Sequence, residues 1–276
     1  FSLQSILGNQ LQIRSWQIKK LPADEFSTDN AIILDNSDRW PLMIDPQMQA
    51  NIWIKNLEEE YGIKTLKPTS DAKEVSRTLE NCIMLGTPII LEDLLETIDP
   101  IYDPLLEKQI EGHGGKLAIK IGDGLKEYSP DFRFYMTTKL ASPHYPPEVC
   151  VKVVMLNFTV TEECLEDQML SVVVKHEHPQ KYEQRNHYIT IEADNNKRKK
   201  ELEDKILNQI AGASSNLLED DELIETLDQS KAQYQQIERQ LIDMTNNIKS
   251  INTIRDSFKP VAKRVARYFF CLSDMG

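Results

Sequence analysis

Trp40-Pro41-Leu42-Met43-Ile44-Asp45-Pro46-Gln47-Met48-Gln49-Ala50-Asn51 is the stretch that decides the fold of this 276-residue chain. The apolar run up to Ile44 predicts a buried strand. Residues 49–60 then place Ile52, Trp53 and Leu57 on one face of a helix. Strand, short loop and helix in this order form the topology of a phosphate-binding loop.

This stretch keeps that topology without the residues that bind phosphate. In the pattern G-x-x-x-x-G-K-[ST], Met43 and Met48 take the glycine positions, Gln49 the lysine position and Ala50 the hydroxyl position. Met48 cannot let the backbone wrap a phosphate, Gln49 brings no charge, and Ala50 has no oxygen for Mg²⁺. An ordinary strand-to-helix turn is the alternative. Both interpretations predict that the loop holds no nucleotide.

Two later strand ends carry polar residues. Glu92 and Asp93 follow an apolar strand, at the place of the carboxylates that hold Mg²⁺, but they equally fit a strand end and helix cap. We favour the cap, because no lysine or hydroxyl is present to position a metal. A further strand ends in Thr137 and Thr138, at the place of a polar residue that senses the γ-phosphate.

The first two thirds of the chain predict a parallel α/β layer. Buried strands are predicted at residues 40–44, 88–91, 116–121 and 132–137, with a second helix at 71–85. Strand, helix, helix and strand in this order favour right-handed crossovers and a parallel sheet covered by helices. The turn Gly122-Asp123-Gly124 predicts a β-hairpin inserted before the last of these strands.

From about Asp167 the sequence is helical in pattern. A 4-3-4-3 stripe runs through Leu223, Leu227, Ser230, Tyr234, Ile237, Leu241, Met244, Ile248 and Ile251. A less regular helix over 167–211 has the polar Asn196 within its own stripe. Residues 212–216 break the pattern between the two helices, so we expect an antiparallel coiled-coil hairpin.

Composition excludes several classes of function. The chain has 32 Lys+Arg against 44 Asp+Glu and a net charge of −12, which argues against nucleic acid or an anionic membrane as a partner. The basic run at 197–200 is predicted to be a solvated face of a helix. Four scattered cysteines indicate an intracellular compartment, and five histidines without zinc-type spacing predict no metal site. The start lacks an initiator Met and a signal pattern, so we expect a piece of a longer polypeptide.

Taken in order, several motifs resemble the dynein heavy chain family. They are RWPLMIDPQ at 39–47, TLENC at 78–82, GTP at 86–88 and DFRFYMTTK at 131–139. The closest resemblance is to the fifth AAA+ module of the motor ring with its coiled-coil strut, and to axonemal rather than cytoplasmic members. This resemblance implies an AAA+ large α/β subdomain at 1–166, a strut at 167–258 and a return helix of the small helical subdomain at 259–276.

The resemblance also implies a mechanical role. The module would link ring rearrangement to the stalk without hydrolysing ATP, while other modules hold ATP and Mg²⁺. Its partners would be the neighbouring modules, the stalk and, indirectly, microtubules, in the cytoskeleton of the cytoplasm or the ciliary axoneme. Lys152 falls where the family places a cation that reaches a neighbour's nucleotide, although a solvated lysine is the alternative. Leu217 and Leu218 fall at the strut tip. An active ATPase module and a coiled-coil scaffold are the competing hypotheses.

Overall fold

The computed structural model describes residues 2–113, 116–121, 124–212 and 221–273. It divides the chain into two compact units, Phe1–Val160 and Thr161–Gly276. Within the described residues, no helix combines the length and the hydropathy needed to cross a membrane.

The first unit contains eight described strands and seven helices. The strands are β1 (Trp40–Ile44), β2 (Lys64–Leu66), β3 (Ile89–Leu91), β4 (Ile110–His113), β5 (Lys116–Ile121), β6 (Gly124–Glu127), β7 (Phe134–Thr138) and β8 (Val153–Asn157). The helices are α1 (Leu3–Ile6), α2 (Gln10–Ile18), α3 (Glu25–Asn36), α4 (Gln49–Leu57), α5 (Ala72–Leu85), α6 (Asp103–Leu106) and α7 (Pro147–Cys150).

Five strands form a parallel sheet in the order β2-β3-β7-β1-β8. The predictions of β1, β3 and β7 are confirmed to within two residues, whereas β2 and β8 were not predicted. The strand at 116–121 was predicted as a buried strand of an inserted hairpin, and the strand is confirmed, with Ile119 and Ile121 buried. It belongs to a separate antiparallel sheet, β4-β5-β6, in which β5 and β6 form the predicted hairpin.

Alternation along the strands builds one apolar layer on each face of the parallel sheet. Leu42 and Phe134 lie in the cluster that includes Leu79 and Ile83 of α5. Their neighbours Met43 and Tyr135 lie in the opposite cluster, which includes residues of α4. A sheet buried on both faces explains why its strands are continuous apolar runs.

Helices α4 and α5 end close to the positions that the sequence predicts. Helix α4 was predicted to reach residue 60 but ends at Leu57, and a 3-10 turn, Glu59–Tyr61, follows. Helix α5 ends at Leu85 and is followed by Gly86, which has φ 74°. A Cβ there would lie 2.7 Å from Ser129 Oγ, so glycine suits this position for both conformation and space.

The second unit consists of α8 (Glu162–Glu177), α9 (Pro179–Gly212), α10 (Asp221–Asp256) and α11 (Lys259–Ser273). The single helix predicted over 167–211 is wrong at His178, where the backbone leaves the helical region with φ −134° and ψ 64°. Pro179 explains this break, because a proline disfavours helical geometry in the residue before it.

Helices α9 and α10 lie side by side and antiparallel. Arg185 Nε donates to Asn252 Oδ1 at 3.0 Å, and Lys199 Nζ lies 4.8 Å from the centre of the Tyr234 ring. Ser230, the polar position of the predicted stripe, is buried. In α9 the buried polar residue is Asn195, whereas the predicted Asn196 is half-buried.

Candidate functional site

The sheet order brings the three predicted strand ends together, because β3, β7 and β1 are neighbours. The backbone N–H of Asp45 donates to the carbonyl of Thr138 at 2.8 Å, and that of Leu94 donates to the carbonyl of Thr137 at 3.0 Å. In open α/β sheets, ligands bind at this carboxyl edge. The loop after β1 and the two polar strand ends therefore lie together at this edge of the sheet.

Asp45 is the central residue of this site, and the sequence did not single it out. Its carboxylate accepts the N–H of Gln49 at Oδ1 (2.7 Å) and that of Asn51 at Oδ2 (2.8 Å). The side chain is buried, which raises the pKa of the carboxyl, while the backbone amides of Asn51, Gln49 and Ala50 oppose the rise. The carboxylate thus sits on the first amides of α4.

The residues at the degenerate loop positions take part in the packing and hydrogen bonding of the fold itself. Met48 precedes α4 in the left-handed region, with φ 60° and ψ 27°, and its side chain makes no capping bond. The loop therefore keeps a backbone shape that favours glycine although methionine occupies it. Met43 and Ala50 are fully buried in the same apolar cluster. Gln49, at the lysine position, gives its backbone N–H to Asp45.

Glu92 is held by two residues of α4. Its Oε1 accepts Asn51 Nδ2 at 2.7 Å and lies 2.5 Å from Lys55 Nζ. The Glu92 side chain is 7 % exposed and that of Lys55 is 38 % exposed. Both residues of α4 thus reach across to the end of β3. No described group of three or more His, Cys, Asp and Glu residues has the arrangement of a metal site.

The side chains of Asp93 and Thr138 also interact with other residues of the chain, through ion pairs and a hydrogen bond respectively. No helix begins directly after Asp93, which has φ 57°, so the favoured capping interpretation is wrong for this residue. Its carboxylate lies 2.7 Å from Lys139 Nζ and 3.5 Å from Lys67 Nζ, and the hydrogen bond from Lys139 lowers its pKa. The Thr138 hydroxyl donates to the carbonyl of Leu94 at 2.6 Å. Thr137 is buried beside it.

Lys152 lies just before β8 and away from this edge. Its Nζ is 2.8 Å from Asp103 Oδ1 and 2.7 Å from Glu107 Oε1, and its side chain is 21 % exposed. The hydrogen bonds that Lys152 donates to Asp103 and then Glu107 raise the pKa of Lys152. The positive charge of Lys152 is therefore paired with two carboxylates of the same chain. Leu217 and Leu218 lie outside the described residues.

A parallel sheet with a loop-helix connection after a central strand, and with acidic and hydroxyl strand ends beside it, is the arrangement of the P-loop class of α/β fold. Residues 14–237 match the family model described as the ATP-binding dynein motor region. The chain belongs to this dynein motor-region family.

Similar proteins agree with this assignment. The chain is 45 % identical over 276 residues to dynein axonemal heavy chain 6 of Homo sapiens and to dynein axonemal heavy chain 3 of Mus musculus, covering all of this chain and 7 % of each relative. It is 40 % identical to the dynein-1-beta heavy chain of the flagellar inner arm I1 complex of Chlamydomonas reinhardtii, of which it covers 6 %. The chain thus spans a small part of the length of these relatives.

Proposed function

We propose that this chain is a structural and force-coupling module of a dynein motor ring that does not itself hydrolyse ATP. One observation carries the proposal. The loop after β1 offers a phosphate neither the lysine nor the hydroxyl of an active site, because Gln49 and Ala50 stand at those positions. Each missing charge-assisted contact is worth about 1.5–3 kcal/mol, and about 1.4 kcal/mol is a factor of ten in affinity.

The relatives suggest where such a module works. Their names place them in axonemal and flagellar dyneins. We therefore place this chain in the axoneme of a cilium or flagellum, as the fifth module of its ring, with ATP and Mg²⁺ bound in other modules. Neighbouring modules and the stalk of the same heavy chain are its proposed partners, and it acts on microtubules through them.

The paired helices α9 and α10 are the proposed path of force. We assign residues 1–166 to the large subdomain, 167–258 to a coiled-coil strut and 259–276 to the return helix. A long two-helix element exposed to water has only its own seam as a core, so a push at its base is carried to its tip. We propose that Leu217 and Leu218 dock the tip on the stalk.

The test uses the full-length motor. Mg-ATP carrying a photoreactive group should label other modules and leave residues 45–51 unlabelled. The double variant Leu217→Ala/Leu218→Ala should keep basal ATP turnover but lose the weakening of microtubule affinity on ATP binding. A matched control, Leu207→Ala/Ile242→Ala, removes two exposed apolar side chains of α9 and α10 and should behave as wild type.

Two results would overturn the proposal separately. Labelling of residues 45–51 at sub-millimolar Mg-ATP would contradict the loss of the phosphate site, on which the non-hydrolysing role rests. Normal release from microtubules by the tip variant would contradict the coupling role and leave the helical pair as a passive support.

A further inference from the structure

We infer that this module carries built-in substitutes for both parts of Mg-nucleotide: the carboxylate of Asp45 stands in for a phosphate, and the ammonium of Lys55 stands in for the divalent cation. The inference rests on the proposed non-hydrolysing role and deepens it. It explains how the carboxyl edge of the sheet holds together without a ligand.

The anion half follows from the amides that Asp45 occupies. The first amides of a helix point along its axis, lack partners within the helix and carry partial positive charge, so they attract an anion. In a phosphate loop these amides face the nucleotide. Here the two Asp45 oxygens accept the N–H groups of Gln49 and Asn51 at 2.7 and 2.8 Å. A phosphate cannot bind the same amides while the carboxylate remains there.

Asp45 differs from an ordinary helix cap in its position in the chain relative to the helix. Asp24 is the residue directly before α3, and its side chain accepts the N–H of Ser27 at 2.8 Å. Asp45 instead directly follows the last residue of β1, and the residue directly before α4 is Met48. Its bonds therefore tie the central strand to the helix, as a nucleotide phosphate bound between them would.

The cation half follows from Lys55 and Glu92. A strand-end carboxylate in an active site faces a hydrated divalent cation. The Glu92 carboxylate is almost fully buried and faces the Lys55 ammonium at 2.5 Å. Asn51, one helical turn before Lys55, donates to the same oxygen at 2.7 Å. These two residues tie α4 to β3 without a metal ion.

Together the two contacts fasten one helix to two strands. Asn51 is common to both, since its backbone N–H binds Asp45 and its side chain binds Glu92. Asp45, Asn51 and Glu92 are all buried. The conformation of the edge is therefore expected to be the same whether or not Mg-ATP is present elsewhere in the motor.

Hydrogen–deuterium exchange on the full-length motor tests the anion half. Wild-type amides at 49–51 should be protected without nucleotide and unchanged by Mg-ATP. Asp45→Ala should raise their exchange by about tenfold, and sodium formate should restore protection while sodium chloride of equal ionic strength should not. Asp45→Asn, which preserves size, covers the case in which the alanine variant does not fold, and should raise exchange less. Asp24→Asn is the matched control, with changes confined to the start of α3.

Magnesium chloride tests the cation half. Lys55→Met should raise exchange at residues 89–94, and Mg²⁺ should reduce it again, whereas wild type should not respond to Mg²⁺. Exchange at 49–51 within twofold of wild type in the Asp45 variants, or no formate effect, would overturn the anion half. No Mg²⁺ effect in Lys55→Met would overturn the cation half. Protection of wild type by Mg-ATP would instead contradict the proposed function.

Discussion

Asn51 and Glu92 meet across the gap between α4 and β3, with 2.7 Å between Nδ2 of the amide and Oε1 of the carboxylate. A carboxylate that polarises a water for hydrolysis must be open to that water. Here Glu92 is buried, and one of its oxygens is shared by the amide and the ammonium of Lys55. The pair therefore joins a helix to a strand.

The first prediction concerns Glu92→Gln in the full-length motor. ATP turnover and nucleotide content should not change, because in the proposed role of this module the side chain takes no part in hydrolysis. The free energy of unfolding of this module should fall by about 1 kcal/mol, since Lys55 loses its anionic partner but is partly solvated. Steady-state ATPase and thermal unfolding measure the two effects. Glu111→Gln, an exposed position on β4, is the control, and slower turnover in Glu92→Gln alone would contradict the prediction.

The second prediction concerns the left-handed backbone of Met48. A side chain in this region costs about 1–2 kcal/mol relative to glycine. Met48→Gly should therefore be more stable than Met48→Ala by about 1 kcal/mol. At Ile52, an exposed position inside α4, the order should reverse by about 1 kcal/mol because alanine favours a helix. Thermal unfolding of the four variants decides, and the same order at both positions would refute the strain argument.

The sequence sufficed for the parts of the fold that carry strong apolar runs. Strands β1, β3 and β7 are buried throughout or nearly so, and each was predicted. Strand β2 has three residues, of which two are exposed, and therefore has no apolar run to detect. The strand ends at Glu92 and Thr138 lie together because β3 and β7 are neighbouring parallel strands, an order that the sequence analysis did not predict.

Asp45 and Asn195 show what the sequence did not supply. The partners of Asp45 are backbone amides, which every residue has, so no residue type marks the contact. Asn195 was missed because the stripe of this helix was predicted from its apolar residues, and the adjacent Asn196 fits the three-residue spacing from Ala193. Adjacent helical residues point about 100° apart, so choosing the neighbour moves the predicted contact off the buried side chain.

A third prediction separates the two interpretations of Lys152. Its ammonium already binds Asp103 and Glu107, so Lys152→Ala should leave ATP turnover in the neighbouring module unchanged. The stability loss should not exceed about 1 kcal/mol, as for other partly exposed ion pairs. Asp103→Asn/Glu107→Gln should cause a similar loss. Lys120→Ala, on an exposed part of β5, is the control. A turnover that falls only in Lys152→Ala would establish the trans-acting cation.

The fourth prediction concerns pH. Lys139 lowers the pKa of Asp93 in the folded chain, so the pair stabilises the fold above the pKa of unfolded Asp93. That contribution is lost as pH falls below about 4 and through the lower folded value. Asp93→Asn should therefore lose less stability than wild type over this range. Urea unfolding at several pH values measures this difference in the loss of stability. Asp38→Asn, at an exposed position, should follow wild type, and parallel curves for wild type and Asp93→Asn would contradict the assignment.

The last prediction concerns the seam between α9 and α10 and rests on the proposed force path. Asn195 is 5 % exposed, and Met244 Sδ, a weak acceptor, lies 3.9 Å from its Nδ2. An amide buried against so weak an acceptor destabilises the pairing, and leucine has a similar size. Asn195→Leu should therefore stabilise the helical pair by about 1 kcal/mol.

If the helices must shift against each other to carry force, this stabilisation should have a mechanical cost. The Asn195→Leu motor should keep its basal ATP turnover and release microtubules more slowly after ATP binding. Asn196→Leu is the matched control, because it makes the same change at the adjacent, half-buried position and leaves the seam unaltered. Stopped-flow release from microtubules measures the effect. A stabilised Asn195→Leu motor with wild-type release would mean that force crosses a rigid strut, and that the buried amide serves only to set the register of the two helices.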